Sequence, residues 1–338
     1  MRRFALQVVF LLASCAAVTA LGAGPEAGVP PDGCCRFCGA ALAGDPGPAL
    51  AVMIDNHVGA RPQSGLAQAC LVFEAPVEGG ITRFMAVYGH GQEVAEIGPV
   101  RSMRPYFVRL AAALDAVLCH CGGSPEAYAL ASATGLPRLD DLRGAGRAFW
   151  RDNRRKAPHN LYTSTSRLRR ELARRHLPWA AVPAASLPFL PAPAGIPAAE
   201  ALLAYSSPHF RASFVFDPAG GFYTRHFAGL LQRQRDGAPL CATAVVVVGI
   251  EPQVTDRVGR LRIDLEGERP CLVYQSGGCF TASWSGAPGR AGLVTDAAGQ
   301  AAALKPGLAW FALVPGEVRP PTPPEEESAY NHRMKTPI

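Results

Sequence analysis

The first half of the chain contains short apolar runs, each followed by a segment rich in polar residues and glycine. Strands that are buried on both faces of a sheet are typically apolar at nearly every position. Three runs, two of them nearly continuous, predict strands: Leu50–Ile54, Cys70–Phe73 and Phe84–Tyr88. An apolar strand followed by a dense polar loop is also how α/β proteins build ligand sites.

Helical signals alternate with these strands. A helical spacing of apolar residues begins after Pro105 and leads to residues 117–120, which we expect to run from this helix into a strand. Ser124-Pro125 supplies an N-cap and a proline for the first position of a second helix. Residues 165–176 predict a third. The alternation predicts an α/β domain, a mixed sheet with helices, over residues 36–176.

The second half predicts strands at short intervals. Residues 177–204 contain six prolines, a density that excludes regular helix and predicts a stiff interdomain linker. Beyond it, β-branched runs and turn signals predict a smaller, mainly β domain over residues 205–315. Its predicted strands are Val245–Val248, Arg260–Leu265, Cys271–Tyr274, Phe280–Trp284 and Ala309–Val314, with a hairpin turn at Gly277-Gly278.

The two ends of the chain carry export and tail signals. Residues 1–22 combine two arginines with an apolar core too short to span a bilayer, which is the pattern of a signal peptide. Residues 12–15 resemble a lipobox, so we predict that Cys15 is acylated and anchors the protein to the extracytoplasmic face of a membrane. Secretion after ordinary cleavage is the alternative. We expect residues 23–35 to form a flexible tether and residues 316–338 a disordered tail.

Positive charge is concentrated in one stretch. The chain has 338 residues, is 49% hydrophobic and 18% charged, as globular proteins are, and carries a formal net charge of +6. Residues 138–176 hold twelve Lys/Arg against four Asp/Glu. Such a stretch favours an anionic partner, either membrane headgroups or a wall polymer, unless it is only a solvated helix face. Because few aromatic residues interleave it and the chain has an export signal, we expect no nucleic-acid partner.

Several motifs of the first half occur together in one known family. They are Asp55–Leu66, Glu78–Arg83, Gly98–Arg104, Gly122–Pro125 and Arg155–Asn160. With these motifs the chain resembles the YerB-like family of bacterial lipoproteins. The resemblance implies a two-domain architecture and an extracytoplasmic location, and it brings no established biochemical activity with it.

The resemblance extends into the second half. The motifs that match the family's C-terminal domain are Phe216-Asp217, Tyr223–Arg225 and Gly307–Phe311. Two positions depart from the family pattern. Ser285-Gly286 follows Trp284 where a basic residue is expected, and Cys70 stands where an aspartate is expected. A function of those two positions in relatives is therefore not carried over to this chain.

Candidate ligand-binding residues follow the predicted strands. The turn at residues 120–126 leads from a strand into a helix N-terminus, where free backbone N–H groups can bind a phosphate or a carboxylate. Arg101 and Arg104 lie three residues apart at a helix start, where they could clamp an anion or pair with nearby carboxylates as a structural network. The predicted ligand-binding set is Asp55, Asn56, His57, Arg61, Arg83, Arg101, Arg104, His120, Gly122, Gly123, Ser124, His159 and Asn160.

Catalytic motifs are sparse in the sequence. It contains no Gly-x-Ser-x-Gly elbow, Walker A loop, dinucleotide fingerprint or HExxH motif. Glu74 and Glu78 could pair as in a glycosidase, but at strand spacing they would lie about 13 Å apart. That is too far for this chemistry unless the chain bends at Pro76 or Gly79. Each of His57, His120 and His159 could be a general base or a structural histidine.

Ten cysteines are present, and setting Cys15 aside leaves an odd number, so at least one is unpaired or pairs between chains. The segment Cys34–Cys38 resembles half of a zinc knuckle, which the segment Cys119–Cys121 could complete. We favour Cys119 and Cys121 as small apolar residues of a strand. We therefore predict neither a metal site nor a cofactor.

The residues support three functional hypotheses. The first is an envelope lipoprotein that binds an anionic ligand or wall polymer through its N-terminal domain, with the β domain as a docking or spacing element. The second is a hydrolase of envelope material, with a histidine as base and Glu74 or Glu78 as acid. The third is a non-catalytic structural adaptor for a protein partner. We favour the first, without catalysis.

Overall fold

The computed structural model describes residues 33–42, 47–89, 91, 93–177, 195–205, 210–287 and 293–321. The predictions for the signal peptide, for Cys15, for most of the tether and linker, and for the tail beyond residue 321 lie outside the described residues. Within the described ranges, no helix is both long enough and apolar enough to cross a membrane.

The described residues of the N-terminal region form seven strands and three α-helices. The strands are β1 (Ala49–Asp55), β2 (Leu71–Pro76), β3 (Thr82–Tyr88), β4 (Ala116–His120), β5 (Arg138–Asp140), β6 (Phe149–Arg151) and β7 (Leu161–Thr163). The helices are α1 (Pro105–Ala113), α2 (Pro125–Ala133) and α3 (Thr165–Arg175). The hydroxyl of Ser124 caps α2 by accepting the N–H of Ala127, and Pro125 opens the helix, as predicted.

The C-terminal region is largely β. Its strands are β8 (Ile196–Pro197), β9 (Glu200–Ala204), β10 (Arg211–Asp217), β11 (Phe222–Phe227), β12 (Leu230–Leu231), β13 (Cys241–Ala242), β14 (Ala244–Ile250), β15 (Gln253–Val254), β16 (Leu261–Arg262), β17 (Glu268–Gln275), β18 (Gly278–Ser285), β19 (Leu293–Thr295) and β20 (Ala309–Pro315). The valine run of β14 is almost entirely buried, which is where β-branched residues are favoured.

One sheet joins the two regions. Its strand order is β19-β18-β17-β14-β20-β2-β3-β1-β4-β5, with β8 beside β18. Strand β20 lies parallel to both of its neighbours, β14 and β2. Phe311 of β20 is in register with Val246 of β14 on one side and with Phe73 of β2 on the other. The α/β N-terminal domain and the smaller, mainly β C-terminal domain predicted from the sequence are both observed. They are built on a shared sheet.

Apolar cores cover both faces of this sheet because successive side chains of a strand point to opposite sides. Helices α1 and α2 contribute to one core, and α3 contributes to the other. The second core also includes a smaller sheet, ordered β12-β11-β10-β9 with β13 beside β11. Phe214 of this smaller sheet meets Trp310 of β20 edge-on, with ring centroids 5.3 Å apart.

Two expectations for the second half differ from the structure. The predicted strand over residues 260–265 is wrong, because only Leu261–Arg262 pairs, in a short hairpin with β15. The carboxylate of Asp256 accepts the N–H groups of Val258 and Arg260 and folds this segment into a turn. In addition, β9 lies within the predicted linker, since its alternately buried and exposed residues pair with β10.

Candidate functional site

Several polar side chains lie at one end of the strands of the large sheet. Strands β1, β2, β4 and β5 run in the same direction, so their C-terminal ends meet there. Asp55 ends β1, His120 ends β4 and Asp140 ends β5. In α/β proteins the carboxyl ends of parallel strands are where ligands usually bind.

Asp55 holds three neighbours at this edge. It is fully buried, and its carboxylate accepts the backbone N–H of His57 at 3.0 Å and Nδ1–H of His159 at 2.6 Å. The same carboxylate pairs with Nε of Arg101 at 3.1 Å. The side chains of His159 and Arg101 remain 17% and 27% exposed. One buried charge therefore orients an imidazole and a guanidinium that both reach solvent.

The imidazole rings of His57 and His159 stack, with centroids 4.5 Å apart and planes inclined by 6°. Nδ1 of His57 accepts the N–H of Gly59 at 3.1 Å, which leaves Nε2–H of the neutral ring as a donor. In His159 the proton on Nδ1 points to Asp55, so Nε2 of the neutral ring is an acceptor. The stacked pair therefore presents one donor and one acceptor.

Beneath Asp55, buried polar side chains form a closed ring that crosses from the N-terminal to the C-terminal region. The ring runs through Glu74, Thr82, Asn56, Gln63, Gln232 and Arg225, and each member is hydrogen-bonded to the next. All six residues are buried. Gln63 also donates to the backbone carbonyl of Asp55 at 3.0 Å, so the ring supports the loop that carries the candidate site.

Glu74 is the charged centre of this ring. One of its oxygens accepts from Nη2 of Arg225 at 2.8 Å, and the other accepts from Nε1 of Trp310 at 3.1 Å. Both side chains of the ion pair are fully buried. With both oxygens hydrogen-bonded, Glu74 has the surroundings of a structural ion pair, and this geometry does not favour a role as a catalytic acid.

Glu78 gathers two of the predicted arginines. Both of its carboxylate oxygens accept from Arg104, one from Nε and one from Nη2, and it lies 3.9 Å from Nη2 of Arg83. Burial of Glu78 raises the pKa of its carboxyl, but the hydrogen bond from Arg104 and the charges of Arg83 and Arg104 together outweigh this effect, so the pKa is lowered. Arg104 therefore pairs with Glu78, whereas Arg101 pairs with Asp55. The two arginines do not form the anion clamp that their spacing allows.

Two further predicted residues are occupied with internal contacts. Arg61 donates to Asn56 and lies over the ring of Phe227, 3.6 Å from the centroid. Asn160 accepts from Arg151 at 2.9 Å. These contacts tie neighbouring loops together, so of the predicted arginines only Arg101 both faces Asp55 and stays partly exposed.

The polar groups of the glycine turn after β4 form hydrogen bonds within the protein. The N–H of Gly122 donates to the carboxylate of Asp140 at 3.0 Å, and Nδ1 of His120 lies 2.8 Å from the carbonyl oxygen of Gly122. A Cβ on Gly123 would lie 2.7 Å from Cγ of Met103, so glycine permits close packing here. The turn thus joins β4 to β5 and α1, and its geometry does not favour an anion at the N-terminus of α2.

His120 should make stability depend on pH. Burial lowers its pKa from 6.5, although the carboxylate of Asp140 opposes this. The unfolded chain therefore binds a proton below about pH 6.5 that the folded chain rejects. We expect the free energy of unfolding to decrease as the pH falls through this range, and His120→Asn to show a smaller decrease. Urea unfolding at about pH 7.5 and about pH 5.5 tests this; equal decreases in both proteins would contradict it.

A cavity of about 420 Å³ lies away from Asp55, between the N-termini of α1 and α2 and the hairpin β15–β16. Four arginines and four carboxylates line it, and two ion pairs form among them, Arg109 with Glu266 at 3.1 Å and Arg260 with Asp256 at 2.8 Å. This balance of charge gives no preference for an anion. Arg104 and Ser124 line this cavity, whereas Asp55, His57, His159 and Arg101 do not. We favour the Asp55 cluster because it presents the partly exposed guanidinium of Arg101 together with the imidazole of His159.

Several residues of the site were not singled out from the sequence. Gln63, Thr82 and Arg225 complete the polar ring beneath Asp55. Each lies in a motif that carries the family resemblance, and membership of such a motif is the sequence feature that could have identified these residues. Gln232 lies outside those motifs, and only the fold brings it to Gln63.

Comparison with known proteins covers both regions of the chain. Residues 41–178 match a family described as "Protein of unknown function (DUF3048) N-terminal domain", and residues 202–311 match its C-terminal domain. A relative from Bacillus subtilis (strain 168), named "Putative lipoprotein YerB", is 32% identical over 278 residues, which are 79% of this chain and 81% of the relative.

The fold has a similar solved structure. The crystal structure of YerB from Bacillus subtilis superposes with a TM-score of 0.75 at 29% identity, covering 83% of this chain and 96% of that one. Both family domains are present in the expected order. The chain therefore belongs to the YerB family, whose two parts are the DUF3048 N-terminal and C-terminal domains.

Proposed function

We propose that the chain binds an anionic molecule of the cell envelope on the surface formed by His57, His159 and Arg101, which we call the His–Arg surface. The observation that carries this proposal is the buried carboxylate of Asp55, which holds two of these side chains in place. Arg101 pairs through Nε, and its Nη groups have no partner among the described residues. They are suited to bidentate bonding with a phosphate or a carboxylate.

The loops that carry the two histidines are fastened to each other. Arg155 donates to the carbonyl oxygens of Ala60 and Pro62 at 3.0 Å and 2.7 Å. It thereby joins the loop of His159 to the loop of His57. Such preorganisation lowers the entropic cost of ligand binding.

The N-terminal region carries exposed positive charge. The basic stretch predicted from the sequence contributes these exposed side chains: Arg143, Arg147, Arg151, Arg154, Lys156, Arg167, Arg170 and Arg174. A positive potential raises the local concentration of an anionic partner and speeds association. This supports an anion as the ligand and predicts that binding weakens as salt is added.

The envelope is the proposed location. The signal peptide and the lipobox cysteine, Cys15, support export and a lipid anchor, and the relative from Bacillus subtilis is named as a lipoprotein. An extracytoplasmic protein on a lipid anchor meets wall polymers that carry phosphate or carboxylate groups. We propose such a polymer as the ligand.

Thermal unfolding of the full-length protein tests the proposal. The probes are inorganic phosphate, citrate and wall-glycan fragments, and a ligand at about 100 times its Kd should add about 2.7 kcal/mol of stability. Arg101→Met should weaken binding about tenfold or more, since it removes charge-assisted hydrogen bonds. Arg257→Met removes the same charge from an exposed position outside the basic stretch and is the matched control. Stabilisation that survives in Arg101→Met, or that both variants lose equally, would contradict the proposal.

A second function is favoured by one observation, the hydrogen bond of 2.6 Å between Asp55 and His159. A carboxylate that orients a histidine is the arrangement of a general base and its supporting acid. His159 would then activate water against a bound ester. With bis(p-nitrophenyl) phosphate as substrate, His159→Gln should lower turnover by about 10²–10⁴-fold and leave the fold, followed by circular dichroism, unchanged. Absence of turnover in the unaltered protein would exclude hydrolysis of this phosphodiester.

A further inference from the structure

Three cysteine sulfurs lie close together at the end of the large sheet's strands that is opposite to Asp55. The Sγ atoms of Cys35, Cys38 and Cys70 all lie within 4.8 Å of one another, and those of Cys35 and Cys70 are 3.7 Å apart. Cys70 immediately precedes β2, whereas the other two come from residues 33–42. The segment Cys119–Cys121, which the sequence offered as the second half of a zinc knuckle, is not part of this cluster.

Residues 33–42 fold into a tight loop that brings two of the thiols together. The N–H of Cys35 donates to the carbonyl oxygen of Ala40 at 2.7 Å, and the N–H of Gly39 donates back to the carbonyl oxygen of Cys35 at 2.8 Å. Phe37, between the two cysteines, is 1% exposed and anchors the loop in the core. A loop that closes over a C-x-x-C pair is the usual half of a thiolate metal site.

A backbone N–H group points at one of these sulfurs. Gly89 donates to Sγ of Cys70 at 3.2 Å. Such bonds stabilise thiolates and recur around sulfurs that bind metals. A Cβ on Gly89 would lie 2.4 Å from Sγ of Cys35, so only glycine allows this approach.

The three sulfurs lie close enough together to bind one cation. All three lie within 4.8 Å of one another, and Sγ of Cys35 is 3.7 Å from Sγ of Cys70. Three adjacent thiolates repel one another, and a bound cation would allow all three to ionise.

We propose that Cys35, Cys38 and Cys70 bind a thiophilic divalent metal ion such as zinc, which fastens residues 33–42 to the start of β2. On binding, each thiol releases its proton to solvent as its sulfur bonds to the metal. Three thiolates fill three of the four positions of a tetrahedral site, and water takes the fourth.

Cobalt(II) is the spectroscopic probe. The full-length protein, reduced and kept free of oxygen, should bind about one equivalent of cobalt per chain. Thiolate-to-cobalt charge-transfer bands should appear with the visible bands of tetrahedral cobalt, and zinc should displace both. Cys70→Ser should lose the charge-transfer intensity expected for three thiolates. Cys241→Ser, which alters a cysteine outside the cluster, should retain it.

A second variant keeps the test independent of folding. Cys70→Asp introduces the residue expected in relatives, so it should remain folded by circular dichroism and give a weaker cobalt spectrum. Three results would overturn the proposal: absence of charge-transfer bands in the reduced protein, an unchanged spectrum in Cys70→Asp, or a disulfide between Cys35 and Cys70 in protein loaded with zinc before exposure to air.

Discussion

Arg225→Met should lower the free energy of unfolding by about 3–5 kcal/mol. The substitution keeps much of the side-chain volume and leaves the carboxylate of Glu74 buried without its cationic partner. Removing one member of a fully buried ion pair is costly because the remaining charge can neither reach water nor find another counterion. Urea unfolding, followed by circular dichroism at neutral pH, measures the loss.

Two further variants make this prediction specific. Glu74→Gln combined with Arg225→Met removes both charges and should recover much of the loss, because the amide oxygen can still accept from Thr82 or Trp310. Arg319→Met breaks a pair whose side chains are 81% and 73% exposed, and it should cost less than about 1 kcal/mol. A loss for Arg225→Met as small as this control would show that the buried pair does not stabilise the fold.

Trp310→Ala should destabilise the protein by about 3–5 kcal/mol. Trp310 is fully buried on β20, the strand between the two regions, and its ring meets Phe84 and Phe214 edge-on at 5.3 Å from each. Truncation removes these contacts and the hydrogen bond to Glu74 together. Urea unfolding gives the value, with Trp310→Phe as the matched variant.

The phenylalanine variant retains part of the packing. It keeps an aromatic ring but removes Nε1–H and part of the indole volume, so it should cost about 1–3 kcal/mol. Equal losses for Trp310→Phe and Trp310→Ala would indicate that the bond to Glu74 outweighs the aromatic contacts. A near-neutral Trp310→Ala would contradict the role assigned here to β20, which is to join the two regions through one core.

Local features of the fold could be predicted from the sequence. Continuous apolar runs predict strands wherever both faces are buried, and β1, β2 and β3 are buried throughout. Ser124 and Pro125 specify a helix start through their own chemistry. The strand predicted at 260–265 failed because a turn at Asp256 interrupts it. The hydrophobic pattern alone does not reveal a hydrogen bond from the backbone to a side chain such as that of Asp256.

Long-range partners could not be predicted, since they depend on which strands pair. Glu74 and Arg225 are 151 residues apart in the sequence. They come into contact because β20 pairs with β2 and so places the second region beside the first. Cys70 was recognised as a departure from the family, yet nothing in the sequence placed it beside Cys35. Asp55 and His159 were both predicted as site residues, and their hydrogen bond across 104 positions is a result of the structure.

The most direct test of the His–Arg surface is to observe its histidines while an anion binds. The full-length protein, labelled with ¹⁵N-histidine, is titrated with inorganic phosphate and with whichever anion stabilises it most. We expect the Nε2 resonances of His57 and His159 to shift in step with the thermal stabilisation, while those of His226, which bonds to Thr224, stay in place. Binding without any shift at His57 and His159, or with an equal shift at His226, would contradict an anion site on this surface.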